Sequence, residues 1–414
     1  MRISKRLLFW SVTIALGGFL FGFDTAVISG AEQAIQFHWS LNAWQQGFTV
    51  ASALIGTVLG ALLGSIPADR WGRKPSLLVV GILFLVSSLG SAMATGWAGF
   101  LVFRIAGGVA VGSSSVIAPI YISEISPARV RGKLVGMFQF NVVLGILVAY
   151  LSNYFIGNLF DGEKAWRFML GVQALPSLAF ILLLQAVPES PRWLILKRGM
   201  VEKAKQIFEV ISPGQARQVI PEIEQVRDRS SVGRTESIWK KKYRMPLLLA
   251  ILLAFFNQFS GINAILYYAP RIFEMAGLQK NTSLLSTVCI GLVFFIFTYL
   301  ALNVIDKMGR RKLMIIGSFG LIATLGMISF TFFRPDLSNW TIVVYMLLFI
   351  AFFAFSQGTV IWVFISEIFP NEVRAQGQAI GSFTHWSMDS LIAFSVPLLV
   401  LRVGGGTTFL RFGI

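Results

Sequence analysis

Eleven long apolar segments constrain this chain more than any other feature of its sequence. Each holds roughly 20 residues, the length that an α-helix needs to cross a hydrocarbon layer about 30 Å thick. Only 13% of the residues are charged, whereas soluble domains carry about 25%. The sequence therefore predicts an all-α membrane protein with spans at 8–29, 45–66, 76–95, 98–121, 132–155, 166–187, 246–269, 284–305, 313–333, 341–365 and 376–401.

The positive charge of the chain is distributed unevenly among the segments that connect these spans. The sequence has 35 Lys and Arg against 19 Asp and Glu, a formal net charge of +16. Most basic residues lie at the N-terminus or in loops that the predicted topology places on the same side. The positive-inside rule makes this side cytoplasmic. We therefore expect a multi-pass protein of the cell membrane with a cytoplasmic N-terminus, whose charge requires no nucleic-acid partner.

Two short charged motifs occur twice. "ADRWGRK" at 68–74 returns as "IDKMGRRK" at 305–312, and "SEISPARVRG" at 123–132 returns as "SEIFPNEVRAQG" at 366–377. Each copy follows the second or fourth span of its half, which predicts a tandem duplication in parallel orientation. The expected units are a helical half at 1–188, a cytoplasmic linker with short helices at 189–245 and a second helical half at 246–414.

These motifs, together with "VPESPRW" at 187–193 and "NQFSGINAILYYAP" at 257–270, resemble the sugar porter family of the major facilitator superfamily. The resemblance implies the major facilitator fold, with two pseudo-symmetric six-helix halves. It also implies transport of a monosaccharide by alternating access, coupled to protons as in bacterial symporters. An uncoupled facilitator, a non-transporting sugar sensor and an inactive truncated product are the alternatives. The segment at 402–414 supplies only a stub of the expected twelfth span.

Asp24 stands in the apolar stretch "ALGGFLFGFDTAVISG" at 15–30. A carboxylate at the centre of a membrane helix costs roughly 2.5–3.5 kcal/mol on insertion scales, so it should face the bundle interior and have a partner. Arg104, inside the fourth span, is the predicted partner. The resemblance implies that this pair couples the proton to the sugar. A static ion pair that fixes two helices is the alternative interpretation.

Several neutral polar side chains also lie inside predicted spans. Burying them is unfavourable unless they bond to one another or to a polar ligand. Neutral donors and acceptors suit a sugar, although they could also bond helix to helix. The resemblance implies that they bind the sugar, and it adds two indole rings and an imidazole to the set. The candidate residues are Gln139, Asn257, Gln258, Asn263, Tyr267, Trp362, His385 and Trp386.

Four positions depart from the pattern of the resembled family. Phe294 and Ile146 stand where relatives carry amide side chains. "QGTVIW" at 357–362 lacks the proline that usually follows the glycine, which leaves open whether the tenth span bends. Asp389 is a second carboxylate within a span, and it could face either Arg402 or water.

Charged residues of the repeated motifs are predicted to form a gate. Loop charges are usually solvated and serve to orient the protein in the membrane. Two copies at matching places instead favour a network that holds the cytoplasmic side closed, as the resemblance implies. The predicted gate residues are Asp69, Arg73, Glu124, Arg129, Glu189, Arg192, Asp306, Arg310, Glu367 and Arg374.

The chain is poor in residues for metal binding and for catalysis. It has a single cysteine, Cys289, and two histidines, His38 and His385, so it offers neither a disulfide nor a catalytic or metal-binding cluster. We expect no enzymatic activity, no metal and no cofactor, with the proton as coupling ion. The expected partners are a hexose or pentose and membrane lipid, and the protein is expected to be a monomer.

Overall fold

The computed structural model describes residues 4–160, 164–211, 220–221, 223–224, 237–334, 338–370 and 373–413, without the side chains of residues 306, 366 and 375. Every regular element in these ranges is a helix. In chain order the α-helices are α1 Lys5–His38, α2 Ala43–Leu63, α3 Ser65–Trp71, α4 Arg73–Met93, α5 Trp97–Ile125, α6 Arg131–Leu159, α7 Ala165–Gly171, α8 Ala174–Gln185, α9 Pro191–Arg198, α10 Val201–Ile211, α11 Arg244–Phe259, α12 Ile262–Met275, α13 Lys280–Met308, α14 Arg310–Phe332, α15 Trp340–Phe355, α16 Gln357–Glu367 and α17 Arg374–Gly413.

Eleven helical segments of the described chain are long and apolar enough to cross a membrane, which confirms the predicted number. Seven of them are continuous helices, and the eleventh, α17, is kinked at Gly404. Three contain a break, so that α7 and α8 form the sixth span, α11 and α12 the seventh, and α15 and α16 the tenth. Each break lies at polar or glycine residues, namely Gln173, Ser260 with Gly261, and Ser356, inside a span that the sequence predicted as continuous.

The first span is longer than the sequence predicted. Its apolar run ends near residue 29, but α1 continues to His38, and Ala31, Glu32 and Ile35 in this extension are buried. The helix continues past the apolar run because the Glu32 carboxylate has hydrogen-bond partners inside the protein.

The tenth span bends although it lacks the expected proline. Its two helices meet at Ser356, whose backbone is not helical (φ −123°, ψ −92°). The Ser356 hydroxyl donates to the carbonyl oxygen of Phe352 at 2.6 Å. This bond satisfies a carbonyl that the break leaves without a helical partner.

The last helix contains a kink at Gly404, which has a positive φ of 78°. The helical residues 405–413 beyond the kink pack against the end of α14. Ser329 donates to the carbonyl oxygen of Gly406 at 2.7 Å, and the rings of Phe332 and Phe409 stack with centroids 5.9 Å apart. The stub predicted at 402–414 is therefore helical over its described residues.

The spans pack in two groups, the first six and the last five, which we call the N-terminal and C-terminal spans. Within the N-terminal spans α1 lies along α6, and α2 lies along α5. Between the two groups, α17 packs against α2, α13 against α6 and α12 against α1. Helices α1, α2, α5, α12 and α17 consequently surround the middle of the molecule.

Between the two groups the chain forms the short helices α9 and α10. The apolar residues Ala204, Ile207 and Ile211 of α10 are buried, at the spacing of one face of an amphipathic helix. Both helices lie in the range 189–245, which the sequence predicts to be a linker with short helices. The rest of residues 212–236 lies mostly outside the described ranges.

The close packing of α2 on α5 depends on Gly108. A Cβ atom at this position would lie 1.8 Å from the carbonyl oxygen of Ala53, so even alanine pushes the helices apart. Overpacking costs about 1–3 kcal/mol, and Gly108→Ala should lower the unfolding temperature of the purified protein in detergent. In Gly136→Ala the new methyl meets nothing within 4 Å, and this control should be as stable as the parent or more so. Equal stability of the two variants would contradict the close approach.

Candidate functional site

Asp24 of α1 and Arg104 of α5 form the predicted ion pair. The Nη1 atom of Arg104 donates to Oδ1 of Asp24 at 2.9 Å, and both side chains are 3% exposed. The Nε atom of Arg104 is buried and has no hydrogen-bond partner among the described residues. The guanidinium therefore keeps one unused donor beside the carboxylate.

A small cavity adjoins this pair. Asp24, Arg104, Tyr267 and Trp386 are among its lining residues, which come from α1, α2, α5, α12 and α17. Its volume of ≈ 10 Å³ is about enough for one water molecule. The cavity thus places the ion pair next to Tyr267 and Trp386, two candidate residues of the C-terminal spans, in a conformation with no room for a larger solute.

The break in the seventh span positions the amide side chains. Helix α11 ends at Phe259 and α12 begins at Ile262, with Gly261 in the left-handed conformation between them (φ 78°). Asn257 and Gln258 lie in the last turn of α11, and Asn263 lies in the first turn of α12. All three side chains are buried, because the helix ends that carry them lie inside the bundle.

Hydrogen bonds connect these amides to the eleventh span. Asn263 Nδ2 donates to Gln258 Oε1 at 2.6 Å. Gln258 Nε2 lies 2.6 Å from Nε2 and 3.2 Å from Nδ1 of His385. Asn257 Nδ2 makes a longer contact of 3.4 Å with the carbonyl oxygen of Gln357, and its Oδ1 has no partner among the described residues. The group retains hydrogen-bonding capacity that a polar ligand could use.

Aromatic rings flank the amides. The Trp362 ring lies 4.6 Å from the His385 ring and 6.1 Å from the Trp386 ring, measured between centroids. Phe21 of α1 contacts Trp386 at 5.4 Å. The structure therefore brings seven of the eight candidate ligand-binding residues into one region, the amide–aromatic cluster: Asn257, Gln258, Asn263, Tyr267, Trp362, His385 and Trp386.

Gln139, the eighth candidate, makes no hydrogen bond to the cluster within the described part of the chain. It is half-buried on α6. Asp389, in contrast, reaches the cluster, because Tyr267 donates to its Oδ2 at 3.4 Å. Its Oδ1 is buried and has no partner among the described residues, while Arg402 is exposed. Asp389 is therefore not paired with Arg402, and it is buried beside Tyr267.

Four predicted gate residues meet at the start of α4. Arg73 binds both carboxylate oxygens of Glu124 at 3.0 Å and Oδ1 of Asp69 at 2.9 Å. Glu189 accepts a hydrogen bond from the backbone N–H of Arg73 at 3.0 Å, and Ser190 donates to Glu124 at 2.6 Å. Burial raises the pKa of Glu189, although backbone N–H groups and Arg73 oppose the rise. We call these five residues the Arg73 cluster.

The matching pair in the C-terminal spans is Arg310 and Glu367. Two guanidinium nitrogens of Arg310 donate to the two oxygens of Glu367 at 3.2 and 3.0 Å. The Glu367 side chain is 54% exposed, compared with 11% for Glu124. The two copies of the motif therefore repeat the pairing but differ in burial.

Three further predicted gate residues, Arg129, Arg192 and Arg374, are exposed. Arg374 donates to the carbonyl oxygen of Phe369 at 3.3 Å. The side chain of Asp306 lies outside the described part of the structure.

A second buried ion pair, which the sequence did not predict, joins Glu32 of α1 and Arg271 of α12. Arg271 donates from Nε and Nη2 to the two carboxylate oxygens of Glu32, both at 2.7 Å. Glu32 follows Asp24 by eight residues, and Arg271 follows Tyr267 by four, so each shares a helix face with a predicted site residue. Extending the helical spacing beyond the apolar runs would have identified both.

Comparison with known proteins gives the family. The sequence model of a family described as "Sugar (and other) transporter" matches residues 10–414. The D-xylose-proton symporter of Escherichia coli (strain K12) is 37% identical over 426 residues, which cover 94% of this chain and 85% of the relative. The arabinose-proton symporter of Bacillus subtilis (strain 168) is 36% identical over 409 residues, covering 98% and 88%.

Solved structures agree with this result. The xylose transporter XylE from E. coli, in a partially occluded inward-open conformation, superimposes with a TM-score of 0.89. The sequence identity is 33%, and the alignment covers 99% of this chain and 95% of that chain. The predicted all-α fold with its major facilitator arrangement is confirmed.

The two arginine pairs should differ in their contribution to stability. Breaking a buried pair by removing one partner costs about 3–5 kcal/mol, whereas an exposed pair contributes about 0–1 kcal/mol. Arg73→Gln should therefore destabilise the protein far more than Arg310→Gln in thermal unfolding measured in detergent. A larger loss in Arg310→Gln would show that burial does not determine the difference.

Proposed function

The chain belongs to the sugar transporter family within the major facilitator superfamily, and we propose that it moves a monosaccharide together with a proton across the cell membrane. The main observation in support is that the Asp24–Arg104 pair, Tyr267 and Trp386 line the same cavity. A group that can exchange a proton and groups that can bind a sugar thus share one site.

The amide–aromatic cluster is the proposed sugar site. Gln258, Asn263 and His385 supply neutral donors and acceptors for hydroxyl groups, and the faces of Trp362 and Trp386 can pack against the carbon side of a sugar ring. The relatives described as xylose-proton and arabinose-proton symporters place pentoses among the candidate substrates, together with hexoses. Gln139 on α6 is proposed as a further sugar ligand.

The Asp24–Arg104 pair is the proposed coupling site. Burial favours the protonated form of a carboxyl group, and a neighbouring guanidinium favours the ionised form. A movement that separates Arg104 from Asp24 would therefore promote proton uptake, and a movement that restores the 2.9 Å contact would promote release. No metal or cofactor enters this scheme, since the proton is the coupling ion.

Alternating access is proposed because the cavity, in this conformation, holds about one water molecule. A sugar can enter only after the N-terminal and C-terminal spans have moved apart on one side. The Arg73 cluster and the Arg310–Glu367 pair are proposed to help close the cytoplasmic side, where we place the N-terminus. The unit of transport is proposed to be a monomer surrounded by lipid.

Uptake of labelled hexoses and pentoses into vesicles tests this function. At a lower external pH the proposal predicts faster uptake of one or more of these sugars and accumulation above the external concentration. Uptake that reaches equal concentrations at every pH would identify an uncoupled facilitator. Absence of uptake for every sugar, from protein that is correctly folded, would overturn the proposal.

Asp24→Asn separates coupling from sugar movement. The amide has nearly the same shape as the carboxyl group but exchanges no proton, so the variant should fail to accumulate sugar against a gradient. It should still exchange labelled for unlabelled sugar, because the proposed sugar ligands are intact. Unchanged accumulation in this variant would refute the coupling role and favour a static ion pair.

A further inference from the structure

The Glu32–Arg271 pair joins the two groups of spans through a bidentate contact. Both of its hydrogen bonds are 2.7 Å long, and Arg271 Nη2 also donates to Gln36 Oε1 at 2.6 Å. The Glu32 side chain is 0% exposed and that of Arg271 is 24% exposed. Two parallel bonds between a guanidinium and a carboxylate fix direction as well as distance, so the pair holds α12 in one position against α1.

A third helix completes the contact. Gln46 of α2 donates from Nε2 to the backbone oxygen of Glu32 at 3.0 Å, and it also contacts the Glu32 carboxylate. Gln46 is itself buried. The Glu32 carboxylate therefore accepts bonds from α2 and from α12, so that an outward movement of α12 would leave it buried without its cation.

The position of the pair relates it to the cavity. Glu32 lies two turns beyond Asp24 on α1, or about 12 Å along the helix, on the side away from the N-terminus. Arg271 lies one turn beyond Tyr267 on α12, and Ile28, between Asp24 and Glu32, lines the cavity. The pair thus covers the cavity at the end opposite the Arg73 cluster.

The ion pairs at the end of the molecule that holds the Arg73 cluster each lie within one group of spans. Arg73 binds Asp69 and Glu124 within the N-terminal spans, and Arg310 binds Glu367 within the C-terminal spans. Glu32 and Arg271, in contrast, belong to different groups. The similarity to a structure in a partially occluded inward-open conformation agrees with a closed side at Glu32.

We infer that Glu32, Arg271 and Gln46 form a latch that closes the outer side of the cavity and must open for sugar to enter from outside. This inference rests on the proposed transport function. It gives the three residues the role of closing the cavity, which neither the sugar site nor the coupling pair performs. Because α12 carries Asn263 and Tyr267 as well as Arg271, the helix that contacts the sugar is the helix that the latch holds.

Cysteine labelling tests the latch without requiring transport. Replacing Cys289, the single native cysteine, by serine and introducing Ile28→Cys places one reporter thiol in the cavity wall. A membrane-impermeant maleimide is applied to right-side-out and to inside-out vesicles. The variants to compare are Glu32→Gln, Arg271→Gln and the double variant, with Lys280→Gln as control, because it removes an exposed positive charge near the same end.

The latch predicts labelling from outside that is about tenfold faster in both single variants, which corresponds to a loss of about 1.4 kcal/mol. The double variant should label no faster than the faster single one, because the two residues act as a pair. Labelling from inside should fall, because more molecules adopt the conformation that is open to the outside. Lys280→Gln should be labelled at the same rate as the parent.

Three outcomes overturn the inference: unchanged labelling from outside, additive effects in the double variant, or faster labelling from both sides, which indicates loss of packing. Since none of these readouts depends on sugar, a failure of the latch is distinguishable from a failure of the proposed transport.

Discussion

A carboxylate within a membrane-spanning helix needs a positive charge or a polar ligand beside it, and α1 carries two such carboxylates. Asp24 pairs with Arg104 on α5, and Glu32 pairs with Arg271 on α12. Because each carboxylate would be costly to bury alone, the two pairs hold α1 against one helix of each group of spans, in addition to its long contact with α6. One helix thus connects the N-terminal spans to the part of the C-terminal spans that carries the amide–aromatic cluster.

Neutral and ionic side chains meet around the cavity. The amides and rings of the cluster lie around the break between α11 and α12, and the carboxylate of Asp389 reaches them through Tyr267. The Asp24–Arg104 pair adjoins the cluster across the cavity, and the Glu32–Arg271 pair lies two turns farther along α1. Movement of α12 would therefore affect the cluster and the Glu32–Arg271 pair together.

Much of the fold was predictable because a lipid environment permits few solutions. Apolar runs gave the eleven spans, and the repeated motifs identified the charged residues from which the Arg73–Glu124 and Arg310–Glu367 pairs form. Hydropathy could not predict where α1 ends, because a charged residue such as Glu32 usually lies outside an apolar span. The burial of Glu32 within α1 depends on its ion pair with Arg271 on another helix. Similarly, the break at Ser356 occurs without the proline that usually marks one.

The central claim is that the buried Asp24–Arg104 pair takes up and releases a proton as the sugar passes. The most direct test is a pH electrode in a weakly buffered suspension of vesicles that hold the purified protein. Adding a transported sugar to the outside should make the medium more alkaline, with about one proton entering per sugar molecule. Sugar entry without any alkalinisation would contradict the claim and leave the pair a structural link between α1 and α5.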